Sequence, residues 1–349
     1  QHQVIGVKFL VKHILEGSGC VLADFMGLGK TMQVICSIQV LYQVATPDAE
    51  GLMSPLLADW PRGTKAPKVL ILSPAIVVRN WEAEFKKFLP KDCLNPLAVS
   101  ILDAGTCKTL DLRRALLLKW HRRGGVLIMG YEMFRGLVSG AKTALDSAYQ
   151  MALGDPGPDL IVLDEGHRIK DNSSQLSRAL ATVRTQRRVV LTGYPLQNRL
   201  KEYWCMCDFV KPNILGTMKD FQKHFESKIK AARARDASPH VLELARRRAH
   251  VVTKLLKPIV LRRDSSYLRR ALPPKHEWVI MCHLTPLQAS LYKAFLRCGV
   301  VFADDGMQEV AKTSNRDILA MSQVSMMIVN HPDVVYLNMK DLDAKEDRE

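Results

Sequence analysis

The pattern of apolar positions divides the chain into short buried runs alternating with helical periods. Positions 4, 7, 10, 11, 14 and 15 repeat with a helical period, so a helix is predicted over 3–15. The apolar run 20–23 predicts a strand, and 32–42 has a helical pattern. The same alternation continues with strands predicted at 68–72, 98–102, 125–129, 159–163 and 188–191, and helices at 76–89 and 110–120. Uninterrupted apolar strands separated by helices imply a parallel, doubly wound α/β sheet with both faces covered. Residues 45–67 and 138–158 have no steady period and read as insertions, the second closed by Asp155-Pro156-Gly157-Pro158. From Lys201 the pattern becomes helical and basic. Leu272-Pro273-Pro274-Lys275 then marks a boundary, followed by a predicted strand at 277–284 and a helix at 288–296. The expected organisation is a nucleotide-binding lobe over 1–210, a basic helical appendage over 211–271, and a linker with the beginning of a further lobe over 272–349.

The first strand and second helix are joined by Asp24-Phe25-Met26-Gly27-Leu28-Gly29-Lys30-Thr31. A glycine loop between strand and helix can wrap phosphates with its backbone N–H groups, and the helix N-terminus adds partial positive charge. In this reading Gly27, Leu28 and Gly29 form the cradle, Lys30 reaches the outer phosphates, and the Thr31 hydroxyl holds Mg²⁺; a tight turn with a solvated lysine is the other reading of such a loop, and the acidic pair described next disfavours it. Asp24 stands where the general phosphate-loop pattern has glycine. In a doubly wound sheet, ligands lie beyond the carboxyl ends of the strands. Asp164 and Glu165 occupy that position after the strand at 159–163, where they suit a Mg²⁺ ligand and a group that orients the attacking water. A simple loop cap is the other reading of such a pair, and the phosphate loop on the same sheet edge favours the catalytic one. His167 reads either as a link from this site to a neighbouring strand or as a hydrogen-bond partner of the carboxylates.

A hydrophobic content of 47% with 24% charged residues belongs to a globular protein. No apolar run reaches the roughly 18 residues of a membrane-spanning helix, and no membrane partner is expected. The eight cysteines contain no C-x-x-C pair, so they read as reduced thiols rather than zinc ligands or disulfides. The net charge of +15 favours a polyanionic partner. Arg113-Arg114, Arg122-Arg123, Arg246–Arg248 and Arg262-Arg263 are candidate phosphate contacts, with solvated helix faces as the alternative. Gln1 at the start and the charged end at 341–349 read as a chain cut from something longer.

Several separated motifs, in order, resemble the N-terminal ATPase lobe of Swi/Snf-type chromatin-remodelling motors within the superfamily II helicases. His2-Gln3-Val4-Ile5-Gly6 is similar to that family's adenine-reading motif, which makes Gln3 a nucleotide contact, and Asp24 is usual in its phosphate loop. Further matches are Leu72-Ser73-Pro74 with Asn80-Trp81, Asp164-Glu165-Gly166-His167, Thr192-Gly193-Tyr194-Pro195-Leu196-Gln197-Asn198, Leu261-Arg262-Arg263, Leu272-Pro273-Pro274-Lys275 and Asn330-His331-Pro332. The Asp-Glu-Gly-His form and Tyr194 point to the branch of ATRX and the androgen-receptor-interacting helicase. Phe25, Arg199 and Met129-Gly130 depart from the family pattern without removing a catalytic group.

The resemblance implies a RecA-like lobe that uses ATP and Mg²⁺, with Lys30, Asp164 and Glu165 catalytic and Thr31 with Asp164 holding the metal. It also implies sequence-independent movement along double-stranded DNA against nucleosomes or other DNA-bound proteins, in the nucleus. The family's second RecA-like lobe, which supplies an arginine from across the cleft, has no counterpart motif here, so weak hydrolysis is expected of the chain by itself. A nucleotide- and DNA-binding fragment without turnover is the competing expectation.

Overall fold

The computed structural model describes residues 1–45, 66–90, 97–140, 146–169, 174–193, 200–234, 236–269, 272–299 and 315–346. Most of the 45–67 insertion and the Tyr194–Arg199 motif lie outside the described residues. Residues 1–273 form one compact unit and 274–349 another.

The first unit is built on seven strands: β1 (Cys20–Leu22), β2 (Lys68–Ser73), β3 (Ser100–Leu102), β4 (Gly125–Gly130), β5 (Leu160–Leu163), β6 (Arg188–Leu191) and β7 (Val260–Leu261). They lie in the order β3-β4-β2-β5-β6-β1-β7, and each pairing is parallel. A sheet of this kind must be covered on both faces, and the side chains divide accordingly. Val69, Ile71, Val126, Ile128, Leu160 and Val162 face one core, while Leu70, Leu72, Leu127, Met129, Ile161 and Leu163 face the other. The inner strands are buried throughout, which is why their sequences read as apolar runs without alternation. Only the edge strands β3 and β7 are partly open.

The first face is covered by α1 (His2–Leu15), α2 (Lys30–Ala45) and α3 (Val78–Phe88), through Leu10, Ile14, Ile35, Ile38, Trp81 and Phe85. Opposite lie α4 (Leu110–Arg123), α5 (Tyr131–Ser139), α6 (Ser147–Leu153), α7 (Gln175–Ala181) and α8 (Leu200–Val210). Cys205 and Cys207 are buried in α8. A helical stretch from Met218 to Ala231 follows, with one π-helical turn over Gln222–Glu226. Then α9 (Pro239–Leu256) sends Val252 and Leu256 into the second core before the chain enters β7.

Three elements differ from the sequence-based expectation. The expected insertion at 138–158 contains α6, capped by Asp146 and burying Tyr149, Ala152 and Leu153; its seven residues are too short to show a period. β7 has two residues, and it exists because β1 offers a free edge with Val21 and Leu22 in register against Val260 and Leu261. Residues 277–284 form no strand: Trp278, Val279, Ile280 and Met281 are 84, 88, 82 and 86% exposed, and among the described residues no neighbour completes a ladder with them. The second unit is helical over Pro286–Gly299, Asn315–Asn330 and Pro332–Glu346. The last of these carries regular structure into the charged end. No helix among the described residues is long and apolar enough to cross a membrane.

Near the foot of α1, His13 is buried between Ser18 Oγ at 2.9 Å and the Pro258 carbonyl at 3.1 Å, so it joins α1 to the segment entering β7. Burial lowers its pKa. The folded chain therefore favours neutral imidazole, and the unfolded chain takes up a proton first as pH falls below the usual value near 6.5. His13 lowers stability progressively below that pH, down to its own folded-state value. Thermal melting from pH 7.5 to 5 should show the loss, and His13→Gln should flatten the curve; an unchanged pH slope in the variant would refute the assignment.

Candidate nucleotide site

In the sheet, β5, β6 and β1 are adjacent and parallel, so the loops leaving their carboxyl ends open on one edge. They carry Asp164-Glu165, Thr192-Gly193 and the glycine loop. Gly27 and Gly29 have φ of +85° and +76°, a left-handed backbone open to glycine and strained for other residues. A Cβ on Gly29 would stand 2.6 Å from Gln3 Nε2, which places the side chain of Gln3 against the loop. Leu28, between the two glycines, is buried. Lys30 and Thr31 open α2, where unpaired N–H groups and the helix dipole favour an anion.

Lys30 Nζ donates to the Asp24 carbonyl at 3.1 Å and lies 3.6 Å from a Cβ built on Gly193. Burial lowers the pKa of this ammonium, and Glu165, Asp24 and Asp164 oppose the shift. Lys30, Asp164 and Glu165, the three residues that the sequence proposes as catalytic, thus act on one another electrostatically from neighbouring loops. Asp164 Oδ2 accepts from Trp81 Nε1 at 2.9 Å and its Oδ1 from the Glu165 N–H at 3.0 Å. The Asp164 carbonyl accepts from the Tyr131 hydroxyl at 2.6 Å. Burial pushes the Asp164 carboxyl up and the Tyr131 phenol well up, so that phenol remains a neutral donor.

Glu165 has a left-handed backbone, φ 52° and ψ 52°, an arrangement that costs a non-glycine residue about 1–3 kcal/mol and clusters at functional sites. His167 Nδ1 lies 3.2 Å from its Oε2, a close imidazole–carboxylate contact. It is the main influence holding the Glu165 carboxyl below the usual range. His167 therefore acts as the carboxylate's partner. Between them, a Cβ on Gly166 would meet Val190 Cγ1 at 2.1 Å, which accounts for glycine in Asp-Glu-Gly-His.

The departure at Asp24 has a structural cause. Its side chain is fully buried and ion-paired with Arg263 through Nη2. Asp24 Oδ1 accepts from Arg263 Nε at 2.8 Å and from the Arg263 backbone N–H at 3.1 Å. Arg263 Nη2 also donates to Gln33 Oε1 at 2.8 Å, and Nη1 to the His2 carbonyl. Removing one partner of a buried pair costs roughly 3–5 kcal/mol, so Asp24 braces the loop. Of the Arg262-Arg263 pair, only Arg262 is exposed; Arg263 points inward and leaves the list of surface phosphate contacts. Gly6 belongs to the same junction, because a Cβ there would fall 1.6 Å from Gln33 Oε1. Arg263 is a motif position and a basic-cluster member in the sequence but not the partner of Asp24, and Gln33 is not singled out there: Asp24 and Arg263 are 239 positions apart, and the hint was a carboxylate where the general phosphate-loop pattern has glycine.

A family model for the SNF2-related domain matches residues 2–334. The chain belongs to that family. The SNF2 relatives include the "Transcriptional regulator ATRX homolog" of Drosophila melanogaster, 40% identical over 308 residues, covering 84% of this chain and 22% of that protein. "Helicase ARIP4" of Homo sapiens is 36% identical over 402 aligned positions, covering 99% of this chain and 26% of that protein. The chain thus spans about a quarter of these relatives or less. The "Sulfolobus solfataricus SWI2/SNF2 ATPase core in complex with dsDNA" shares the fold, with a TM-score of 0.52 at 22% identity, over 96% of this chain and 59% of that one. The RecA-like architecture and the SNF2-type, helicase-like ATPase class follow.

Proposed function

We propose that this SNF2-family domain is the first lobe of an ATP-driven translocase on double-stranded DNA, working in the nucleus on chromatin or other protein-bound DNA. The observation that carries the proposal is the convergence of Lys30, Asp164 and Glu165, on three neighbouring loops of one sheet edge, with mutual electrostatic influence. In this reading the backbone over Gly27, Leu28 and Gly29 and the Lys30 ammonium bind the phosphates of ATP, and Gln3 contacts the adenine. Thr31 and Asp164 hold Mg²⁺: both offer hard oxygen donors, and the Trp81 and Tyr131 contacts fix Asp164 in orientation. Magnesium, when bound, neutralises charge on the phosphate oxygens. Glu165, kept ionised by His167, orients the attacking water.

DNA enters the proposal through the net charge of +15, the exposed arginines of α9, and the dsDNA named with the structural relative. Contacts to phosphate without base readout give sequence-independent binding that weakens steeply with salt. Turnover by a chain extended through the second lobe should rise with duplex DNA of any sequence, and rise less with RNA. Equal stimulation by RNA, or none by either, would remove the duplex from the account.

A further inference from the structure

Beyond β7 the chain runs along the phosphate loop instead of leaving the sheet edge. The Phe25 N–H donates to the Arg263 carbonyl at 2.9 Å, continuing the β1 pairing into the loop. Arg263 grips Asp24 in the loop, Gln33 in α2 and the His2 carbonyl at the start of α1. Five residues later, Leu268 Cδ1 lies 3.3 Å from a Cβ built on Gly27. Between them, the Tyr267 ring is 5.5 Å from the His2 ring, tilted by 49°, and His2 adjoins Gln3. Tyr267 is nonetheless 48% exposed, so part of its ring remains accessible at the start of α1, where the next residue after His2 is Gln3, whose side chain lies against Gly29.

We propose that residues 263–268 form the base-side wall of the nucleotide site. Tyr267 offers an aromatic face to the purine beside Gln3, and Arg263 is a positioning residue that holds the start of α1, and with it Gln3, in register with the phosphate loop. This rests on the reading of the loop as a nucleotide site. The wall belongs to a segment that precedes Pro273, where the first unit ends.

The test uses the 349-residue chain with Mg²⁺ and a fluorescent ribose-labelled ATP, displaced in turn by ATP, GTP and inorganic tripolyphosphate. Base–aromatic stacking of ordinary strength predicts about a tenfold loss of ATP affinity in Tyr267→Ala, with Tyr267→Phe within about twofold of the parent. Tripolyphosphate, which has no base, should bind Tyr267→Ala as it binds the parent. Arg263→Lys should narrow the preference for ATP over GTP. Unchanged ATP affinity in Tyr267→Ala would overturn the wall, and so would an equal loss for ATP and tripolyphosphate, which would reduce Tyr267 to a structural contact. If Arg263→Lys fails to fold, the exposed Tyr267 variants decide alone. Lys30→Ala separates the two levels: it should lose ATP and tripolyphosphate together. If Lys30→Ala binds both normally, the nucleotide reading itself falls; if it loses both while Tyr267→Ala keeps ATP, only this inference falls.

Discussion

Lys30→Ala should lower DNA-stimulated ATP turnover by at least about a hundredfold, the scale seen when one preorganised charge-stabilising donor is removed. It should weaken nucleotide binding as well. Lys30 begins α2 beside two glycines with positive φ, and its ammonium is held next to the Asp24 carbonyl and close to Gly193. Partial burial makes the charge costly to keep and strengthens its attraction to phosphate, because fewer waters screen it. The fold should survive the change, since Lys30 contributes no side chain to either core; circular dichroism and melting would show this. Steady-state ATPase assays of the extended chain, with duplex DNA at saturation, measure the effect. Turnover within a fewfold of the parent would remove the phosphate loop from the mechanism.

Glu165→Gln should separate binding from chemistry. The amide keeps the shape of the side chain but loses the charge that faces Lys30 and His167. If Glu165 orients and polarises the attacking water, kcat should fall by about 10²- to 10⁴-fold, the usual contribution of a positioned acid–base group. Affinity for ATP should stay within a few fold, because the proposed phosphate and Mg²⁺ contacts come from Lys30, Thr31 and Asp164. The left-handed backbone at Glu165 is as strained for glutamine as for glutamate, so the variant tests the charge and not the conformation. Rapid-quench measurement of a single turnover, alongside equilibrium binding of a labelled ATP, reads the two quantities separately. Equal losses in affinity and turnover would make Glu165 a structural cap of β5.

Much of the fold was legible in the sequence because buried parallel strands leave continuous apolar runs, and the candidate site because a glycine loop between strand and helix is a local pattern. The strand preceding Asp164 and the helix following Lys30 were located within a few residues on those grounds. Asp164 and Glu165 were assigned without knowing what holds them; the structure adds Trp81 and Tyr131, whose polar tips fix the aspartate from α3 and α5. The periodicity argument failed where an element depends on its neighbours. β7 is two residues long and exists through the edge of β1, whereas 277–284 has strand-like residues and no described partner. Charge misled in the same manner at Arg263, which counts as a surface cation in the sequence. In the folded chain it is the buried partner of Asp24, an interaction between distant positions that no local pattern encodes.

The central claim is movement along duplex DNA driven by ATP. Displacement of a short third strand from a triplex, by a chain extended to include the proposed second lobe, tests it most directly. The account predicts ATP-dependent displacement that disappears in Lys30→Ala and Glu165→Gln, while the duplex strands stay paired. ATP hydrolysis stimulated by the same triplex without displacement of the third strand would contradict it.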